Sequence, residues 1–255
     1  MNLRNSDSYI HCSSEINYTH NGHTNDLEVY FSETKHLLPI YSNLKKYISV
    51  HEQSRADKYH FEEDRQTYIC CHALLRLILS KRLHVLPSDI SFVRGSKNKP
   101  RLKGSPVYFN ISHTRNAFTI AISKISYVGI DVENVKRNIE FKSMARAVFN
   151  TRERSFISES CDEARTRFFL LWTRKEAFLK SIGLGIITNL KQIGVSENIN
   201  LMNKKLLENI SDRSCKDHFI YSGHQADYCF SVSVPHKAVV VLKSINETNL
   251  DTYIV

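Results

Sequence analysis

A short stretch near the middle of the chain, Val128–Glu133 (VGIDVE), carries two acids at a spacing that suits chemistry. Its apolar residues alternate with the others, which is the period of two of a β-strand. Asp131 and Glu133 therefore project from one face, about 7 Å apart. Such carboxylates repel each other unless a cation or a shared proton lies between them. Gly129, on the same face, predicts open space beside the acids. An edge strand with two solvated acids is the structural alternative.

A second set of candidate residues lies in Trp172–Lys180 (WTRKEAFLK), within a segment of helical periodicity. At 100° per residue, Glu176 and Lys180 lie side by side at the edge of an apolar face. Lys175 falls inside that face, where a charged amine needs a carboxylate partner. We expect one of the two strand acids, Asp131 or Glu133, to supply it. A surface ion pair between Glu176 and Lys180 is the structural alternative, and it leaves Lys175 unexplained.

If Glu176 faces the two strand acids, three carboxylates converge. Oxygen ligands without His or Cys suit Mg²⁺ or Mn²⁺, and Mg²⁺ commonly shares its coordination shell with substrate phosphates. A third segment, Phe109–His113 (FNISH), places Ser112 and His113 at the end of a predicted strand. A histidine there is more often a plain surface residue, but a Ser-His pair near a metal and basic loops is suited to hold a phosphate.

The composition favours a globular protein with an anionic partner. With 255 residues the chain can bury one large core or two small ones. Its net charge of +9 fits nucleic acid, a phosphorylated small molecule or an acidic protein. No apolar run reaches the roughly 18 residues of a membrane span, and no hydrophobic signal core is present near the N-terminus. We therefore expect a cytoplasmic protein without a membrane partner.

Periodic patterns predict the elements that position these residues. The predicted helices are Leu44–Ile48, Glu62–Leu83, Lys142–Phe149, a short helix with Thr151 as its N-cap, and Asp162–Ile182. The predicted strands are Leu27–Ser32, Ile90–Val93, Val107–Ser112, Ala117–Ser123, Tyr127–Glu133, Gln192–Ser196, His218–Tyr221, Tyr228–Val234 and Ala238–Leu242. The order of elements is loosely similar in the two halves of the chain, although their sequences show no repeat.

These motifs resemble a known family. Gly129–Glu133, Asn110–His113 and Trp172–Ala177 are similar, in order and spacing, to the three signature motifs of the Sfp-type 4′-phosphopantetheinyl transferases. The Asn98-Lys99-Pro100 loop resembles the family's Gly-Lys-Pro element. The similarity runs from about Leu27 to Leu242. Each motif alone is weak, but four in the family's order are specific.

The resemblance implies a role for each matching residue. Asp131, Glu133 and Glu176 would bind Mg²⁺, with Mn²⁺ as a possible substitute, and this ion would bridge the pyrophosphate of coenzyme A. The residues expected to contact coenzyme A are Arg55, Lys99, Pro100, Arg101, Ser112, His113 and Lys180. The chain departs from the family at Glu52, which replaces a lysine, and at Asn98, which replaces a glycine. Lys58 or Arg65 could compensate for the missing lysine.

The implied activity is the Mg²⁺-dependent transfer of 4′-phosphopantetheine from coenzyme A to a serine of an acidic apo carrier protein, acyl or peptidyl. The other product is 3′,5′-adenosine bisphosphate. Glu176 is the expected general base, and Lys180 is the second choice. The acidic partner agrees with the net charge of +9.

The implied fold is α+β, with two similar halves related by a pseudo-twofold axis. Each half would be a small, mostly antiparallel sheet packed with a long helix, and the active site would lie in the cleft between them. The expected division is a flexible extension at 1–25, an N-terminal half at 26–124, a C-terminal half at 125–245 and a tail at 246–255. A chain that holds both halves is expected to act as a monomer.

Two other classes of function compete with this interpretation. Asp131, Glu133, Glu176 and Lys180 could serve a Mg²⁺-dependent nuclease, which the basic charge would also suit. Against it, most basic residues lie in two loops, and no segment is typical of a groove-reading element, so we expect no nucleic-acid partner. A non-catalytic binding module would leave three convergent carboxylates unexplained.

Overall fold

The computed structural model describes residues 9–10, 27–95, 99–185, 190–195, 199–201 and 217–252. Most of the predicted N-terminal extension, together with Asn98 of the basic loop, lies outside the described residues. Two residues of that extension are described, and they form a short strand. Tyr9 and Ile10 pair in parallel with Ser222 and Gly223.

Six α-helices and eleven strands occur in the described residues. The helices are α1 (Tyr41–Leu44), α2 (Val50–Ala56), α3 (Glu62–Leu83), α4 (Phe141–Val148), α5 (Thr151–Ser158) and α6 (Ala164–Ile182). The strands are β1 (Tyr9–Ile10), β2 (Leu27–Glu33), β3 (Phe92–Arg94), β4 (Pro100–Leu102), β5 (Tyr108–Thr114), β6 (Ala117–Ser123), β7 (Gly129–Asn134), β8 (Ile199–Leu201), β9 (Asp217–Gln225), β10 (Tyr228–Val234) and β11 (Val240–Ser244). Short 3₁₀ helices cover Thr34–Ile40, Lys45–Tyr47, Pro87–Asp89, Leu190–Gln192 and Glu247–Thr252.

The strands form two principal sheets and one small ribbon. The first sheet has the order β11-β2-β6-β5, and the second has the order β1-β9-β10-β7, with β8 also paired to β9. The β3–β4 ribbon stands apart. Pairing is antiparallel except between β11 and β2 and between β1 and β9. The architecture is therefore α+β with small, mostly antiparallel sheets, as the family resemblance implied. The last strand, β11, joins the first sheet although it comes from the expected C-terminal half.

Three large apolar cores organise these layers, and a small fourth cluster joins α2 to α3. Helix α3 packs on the first sheet, and α6 packs on the second. A third core lies between the sheets, where apolar residues of β2 meet those of β7 and β10. Val128, Ile130 and Val132 all enter this third core, which is what their alternation predicts. The other face of β7, which carries the two acids, is thereby turned toward α6.

Some predictions of local structure are wrong. The helix predicted at Leu44–Ile48 is instead α1, which ends at Leu44, followed by a 3₁₀ helix at Lys45–Tyr47. The N-cap of α5 is Asn150 rather than Thr151, because the Asn150 side chain accepts from the Glu153 amide at 2.9 Å and Glu153 accepts from the Asn150 amide in return. The strand predicted at Gln192–Ser196 is also wrong over its described part. Residues 190–192 form a 3₁₀ helix, and carbonyl groups of this segment bind a side chain instead of another strand.

That side chain is Lys175, and its partner also differs from the prediction. The Lys175 amine lies 2.9 Å from a Glu153 carboxylate oxygen, and both side chains are essentially inaccessible to solvent. It also donates to the carbonyl oxygens of Leu190 and Ile193, at 2.8 and 2.6 Å. Neither Asp131 nor Glu133 is involved, because Lys175 points to the side of α6 that faces α5. The pair joins α6 to α5 and to residues 190–195.

Among the described residues, no helix combines the length and the apolar character that crossing a bilayer would require.

We predict that Lys175→Met lowers the free energy of unfolding by about 3–5 kcal/mol, because it leaves the Glu153 carboxylate buried without a cation. Adding Glu153→Gln to this variant should recover part of the loss, since the unpaired charge is then removed. Urea denaturation of the two single variants and the double variant measures both effects. Strictly additive losses in the double variant would contradict an ion pair at this position.

Candidate active site

The candidate site is built where β7 lies directly on α6. A Cβ atom added to Gly129 would lie 2.0 Å from the Ala177 carbonyl oxygen and 2.2 Å from the Ser181 amide nitrogen. No side chain fits at either distance, so glycine is required for the two backbones to approach this closely. The open space predicted beside Gly129 is therefore wrong. The helix fills it and brings its own polar residues to the acids of the strand.

Ser112, Asp131 and Lys180 form a connected polar group at this junction. The Lys180 amine donates to an Asp131 carboxylate oxygen at 2.6 Å and to the Ser112 hydroxyl at 2.8 Å. The Ser112 hydroxyl donates to the same Asp131 oxygen at 2.9 Å. The three residues come from β5, α6 and β7, so both principal sheets contribute. Lys180 thus pairs with an acid of the strand and not with its helix neighbour Glu176.

Asn110 fastens the two sheets beside this group. Its side-chain oxygen accepts a hydrogen bond from the Ile130 amide at 2.8 Å, and both residues are buried. Asn110 lies on β5 of the first sheet and Ile130 on β7 of the second. The asparagine of the Phe109–His113 motif therefore aligns the strand with Ser112 against the strand with Asp131.

Glu133 and Glu176 are carboxylates in poorly solvated surroundings. Burial, followed by the charge of Asp131, raises the pKa of Glu133 above its ordinary value, although Arg137 lies 3.3 Å from its carboxylate. Burial, with the charges of Asp131 and Glu133 added to it, raises the pKa of Glu176 to about 7, against the opposing effect of Lys180. The three acids therefore act on one another electrostatically, and one lysine does not neutralise them.

The donor atoms fit a hard divalent cation in part. Asp131 Oδ2 and Glu176 Oε1 are buried and have no hydrogen-bond partner. Two such oxygens in a cluster of excess negative charge suit Mg²⁺ or Mn²⁺. Within the described ranges, however, no three Asp, Glu, His or Cys side chains already stand in a metal-binding arrangement. The site therefore resembles a partial ligand set that a substrate phosphate and water would have to complete.

His113 lies at the end of β5 and is enclosed by aromatic rings. Its ring meets Tyr59 and Tyr68 edge-on, with centroids 6.4 Å apart in each case, although the residue keeps an exposed surface at the end of the strand. Burial, followed by the charges of His72 and Lys180, lowers the pKa of His113. The neutral imidazole is thus favoured, and it can offer a phosphate one N–H donor. The sequence analysis missed both tyrosines, because Tyr59 lies in the charged connection between α2 and α3, and Tyr68 lies on α3, where an aromatic residue is usually core.

Arg55 and Glu52, both on α2, have different surroundings. Arg55 is exposed in the last turn. Burial raises the pKa values of Tyr59 and Tyr68, and the charge of Arg55 is near enough to oppose that shift. Glu52, which replaces a family lysine, is buried and accepts from Arg76 at 2.7 Å. Burial alone would raise the pKa of Glu52, but its hydrogen-bond donors lower it to about 2. Glu52 is therefore part of the core.

The two residues considered as substitutes for the missing lysine are placed differently from each other. Arg65 is paired with Glu62 on the first turns of α3. Lys58 is exposed just after α2, on the same stretch as Arg55. Of these two residues, Arg65 is therefore held in an ion pair, whereas Lys58 forms no ion pair with another described residue.

The remaining candidates, Lys99, Pro100 and Arg101, line a cavity of about 190 Å³ beside the start of β7. The Arg101 guanidinium lies over the Tyr127 ring, 5.2 Å from its centroid. Lys99 donates to backbone carbonyl groups, including that of Val128 at 2.9 Å. The structure therefore brings Ser112, Asp131, Glu176 and Lys180 together, and leaves Lys99 and Arg101 at one side of them.

Comparison with known proteins assigns the family. Residues 38–125 match the family model "4′-phosphopantetheinyl transferase, N-terminal", and residues 127–232 match that of the 4′-phosphopantetheinyl transferase superfamily. A protein of Synechocystis sp. whose name describes it as a 4′-phosphopantetheinyl transferase is 32% identical over 168 residues, which are 64% of this chain and 67% of the relative.

Two further relatives carry the same description. The 4′-phosphopantetheinyl transferase HetI of Nostoc sp. is 34% identical over 144 residues, covering 54% of this chain and 61% of the relative. The 4′-phosphopantetheinyl transferase Sfp of Bacillus subtilis is 27% identical over 150 residues, covering 58% of this chain and 66% of the relative. The chain thus spans about two thirds of these relatives. It belongs to the 4′-phosphopantetheinyl transferase superfamily, which confirms the family expected from the motifs.

We predict that Glu176→Gln stabilises the metal-free protein at pH 8 by about 1–3 kcal/mol and has no such effect at pH 4. Because the pKa of Glu176 is raised from 4.5 to about 7, the folded state favours the protonated acid. That stability is complete below pH 4.5 and is lost as the pH rises to about 7. Glutamine resembles the protonated form and escapes this loss.

Thermal melts in EDTA at the two pH values measure the difference, with the exposed Glu140→Gln as the matched control. If Glu176→Gln destabilised the protein equally at pH 4 and pH 8, this would contradict a raised pKa for Glu176.

Proposed function

We propose that this protein transfers the 4′-phosphopantetheine group of coenzyme A to a serine hydroxyl of an apo carrier protein and releases 3′,5′-adenosine bisphosphate. The observation that carries this proposal is the position of Glu176, whose pKa is about 7, among Asp131, Glu133 and Lys180. This raised pKa belongs to the metal-free protein, and a bound cation would lower it, so that Glu176 is ionised and can accept a proton near neutral pH. The family assignment supplies the class of reaction.

The bond changes follow from the reaction. The serine oxygen forms a bond to the β-phosphorus of coenzyme A, and the bond from that phosphorus to the bridging oxygen breaks. The leaving group keeps that oxygen and its electron pair as 3′,5′-adenosine bisphosphate. Glu176 accepts the proton from the serine hydroxyl, directly or through water. Lys180 is the second choice of base, but its amine is bound to Asp131 and must first lose a proton.

Asp131, Glu133 and Glu176 would hold Mg²⁺, or Mn²⁺ in its place. The ion would supply positive charge for the pyrophosphate. Asp131 Oδ2 and Glu176 Oε1 are the atoms best suited to it, because each is buried without a partner. Glu133 would have to loosen its contacts with Arg137 and Thr114 to take part.

The residues proposed to hold coenzyme A are Arg55, Pro100, Arg101, Ser112, His113 and Lys180. The Lys180 amine and the Ser112 hydroxyl are donors on the same side of Asp131, and His113 follows Ser112 on β5. Donors of this kind bind phosphate oxygens. Lys99, the other residue of the expected set, reaches a phosphate only if its present hydrogen bonds to backbone carbonyl groups break.

The proposed protein partner is an acidic carrier protein, acyl or peptidyl. A net charge of +9 attracts such a partner and speeds its association. We also propose that the two sheets are pseudo-twofold halves, that coenzyme A lies in the cleft between them, and that the protein acts as a monomer. The hydrogen bond between Asn110 and Ile130 supports the monomer, since it joins the two sheets within one chain.

The nuclease alternative has no support in the comparisons, because every relative described above carries the name of a phosphopantetheinyl transferase. The four residues that a nuclease would use are those already required by the proposed transfer.

Incubation with coenzyme A, Mg²⁺ and an apo carrier protein should add the mass of one phosphopantetheine group to the carrier, and EDTA should prevent it. Glu176→Gln should slow the transfer by about 10²–10⁴-fold, because the general base is lost. Mass spectrometry of the carrier over time measures both rates. Near-normal transfer by the folded Glu176→Gln variant would contradict the proposed base, and Glu140→Gln should behave as the wild-type protein does.

A further inference from the structure

The amine of Lys99 is bound where the β3–β4 ribbon meets β7 and α6. It donates to the Val128 carbonyl oxygen at 2.9 Å, to the Lys180 carbonyl oxygen, and at 3.5 Å to the Ser181 carbonyl oxygen. Among the described residues, all its acceptors are backbone carbonyl oxygens. This lysine therefore interacts with the framework of the site, and not with one of the acids inside it.

The end of α6 requires such a donor. The last carbonyl groups of a helix have no partner within the helix and carry partial negative charge. Here the helix ends at Gly183, whose positive φ of 70° closes the last turn with a hydrogen bond to the Leu179 carbonyl oxygen. The carbonyl groups of Lys180 and Ser181 lie beyond that bond. The Lys99 amine satisfies both, as a cation at the negative end of the helix.

The third acceptor connects this helix end to the acidic strand. Val128 directly precedes Gly129, at which β7 and α6 approach most closely. The Lys99 amine thus holds the two backbones together at their point of contact. Glu176 and Lys180 lie within two turns of this point on the helix, and Asp131 lies three residues from Val128 on the strand. A shift of the helix end would move the helix residues relative to the strand acids.

We propose that Lys99 is a positioning residue, which fastens the end of α6 to the start of β7 and so holds Glu176 and Lys180 against Asp131. Its importance for turnover rests on the proposed function. The surroundings of Lys99 agree with this role. Burial, followed by the charges of Arg101 and Lys180, lowers the pKa of the Lys99 amine to about 7, so holding the amine here in its charged form costs free energy. The resemblance to the family implies a different role, contact with the nucleotide of coenzyme A, and the two roles predict different kinetics.

The test uses Lys99→Met, Lys99→Arg and the control Lys103→Met. Lys103 is exposed on the turn after β4, so the same substitution there removes a lysine of the same ribbon without touching α6. Hydrogen exchange is measured without ligand on peptides that cover residues 176–184. The kcat of transfer, the KM for coenzyme A and the Kd for 3′,5′-adenosine bisphosphate are measured in parallel. If the Lys99→Met variant does not fold, Lys99→Gln, which keeps an N–H donor, takes its place.

A positioning role predicts that the backbone amides of residues 176–184 exchange about threefold faster, or more, in Lys99→Met than in the wild-type protein. It should lower kcat by about tenfold or more, with the KM and the Kd within about twofold of wild type. Lys99→Arg should recover most of the kcat, since a guanidinium also donates to carbonyl groups. Lys103→Met should match the wild-type protein in every measurement.

The opposite pattern overturns the proposal. Unchanged exchange and kcat in Lys99→Met, together with a raised KM and a weaker Kd, would make Lys99 a nucleotide ligand. If the wild-type protein transfers nothing to a carrier, the proposed function has failed. The exchange measurement then still decides whether Lys99 fastens the helix to the strand, because it needs neither substrate nor turnover.

Discussion

Strand β7 and helix α6 touch backbone to backbone at Gly129, and the arrangement of the site depends on that contact. A side chain at this position would collide with the Ala177 carbonyl oxygen, 2.0 Å away. Because the strand lies so close, its acids point at the helix face that carries Glu176 and Lys180. Buried apolar residues on the opposite side of β7 fix which face this is, since a shift by one residue would exchange the two faces.

The close packing also creates an excess of negative charge. Three carboxylates share one poorly solvated region, and Lys180 is bound to only one of them. The raised pKa values of Glu133 and Glu176 express the free energy that this costs the folded protein. Sites that bind cations or accept protons commonly show such raised pKa values, because a bound cation or a proton relieves the repulsion between the carboxylates. The same feature thus explains the proposed metal and the proposed base.

The sequence predicted the parts of the site that depend on local periodicity. Alternation placed Asp131 and Glu133 on one strand face, and the helical repeat placed Glu176 beside Lys180. It also predicted Ile182 as the last residue of α6, which the structure confirms, with the left-handed Gly183 directly after it. These features follow from the chain's own geometry and need no knowledge of what packs against it.

What the sequence could not predict depends on distant partners. Lys175 was expected to meet a strand acid, yet it binds Glu153, since the direction of α5 relative to α6 is a tertiary property. Gly129 was interpreted as open space because a glycine permits both an open position and a close approach. Glu52 looked like a lost ligand, but it is a buried partner of Arg76 from another helix. In each case the residue type showed that the position was unusual, but the sequence did not identify the group that the residue contacts.

The central claim is that Glu176 of α6 and the two acids of β7 act as one oxygen-donor group. Titration of Mn²⁺ followed by electron paramagnetic resonance, in the presence of coenzyme A, tests this most directly. One Mn²⁺ should bind per wild-type chain, and both Asp131→Asn and Glu176→Gln should weaken that binding by about tenfold or more, equivalent to at least about 1.4 kcal/mol. Wild-type affinity for Mn²⁺ in both folded variants would contradict the claim.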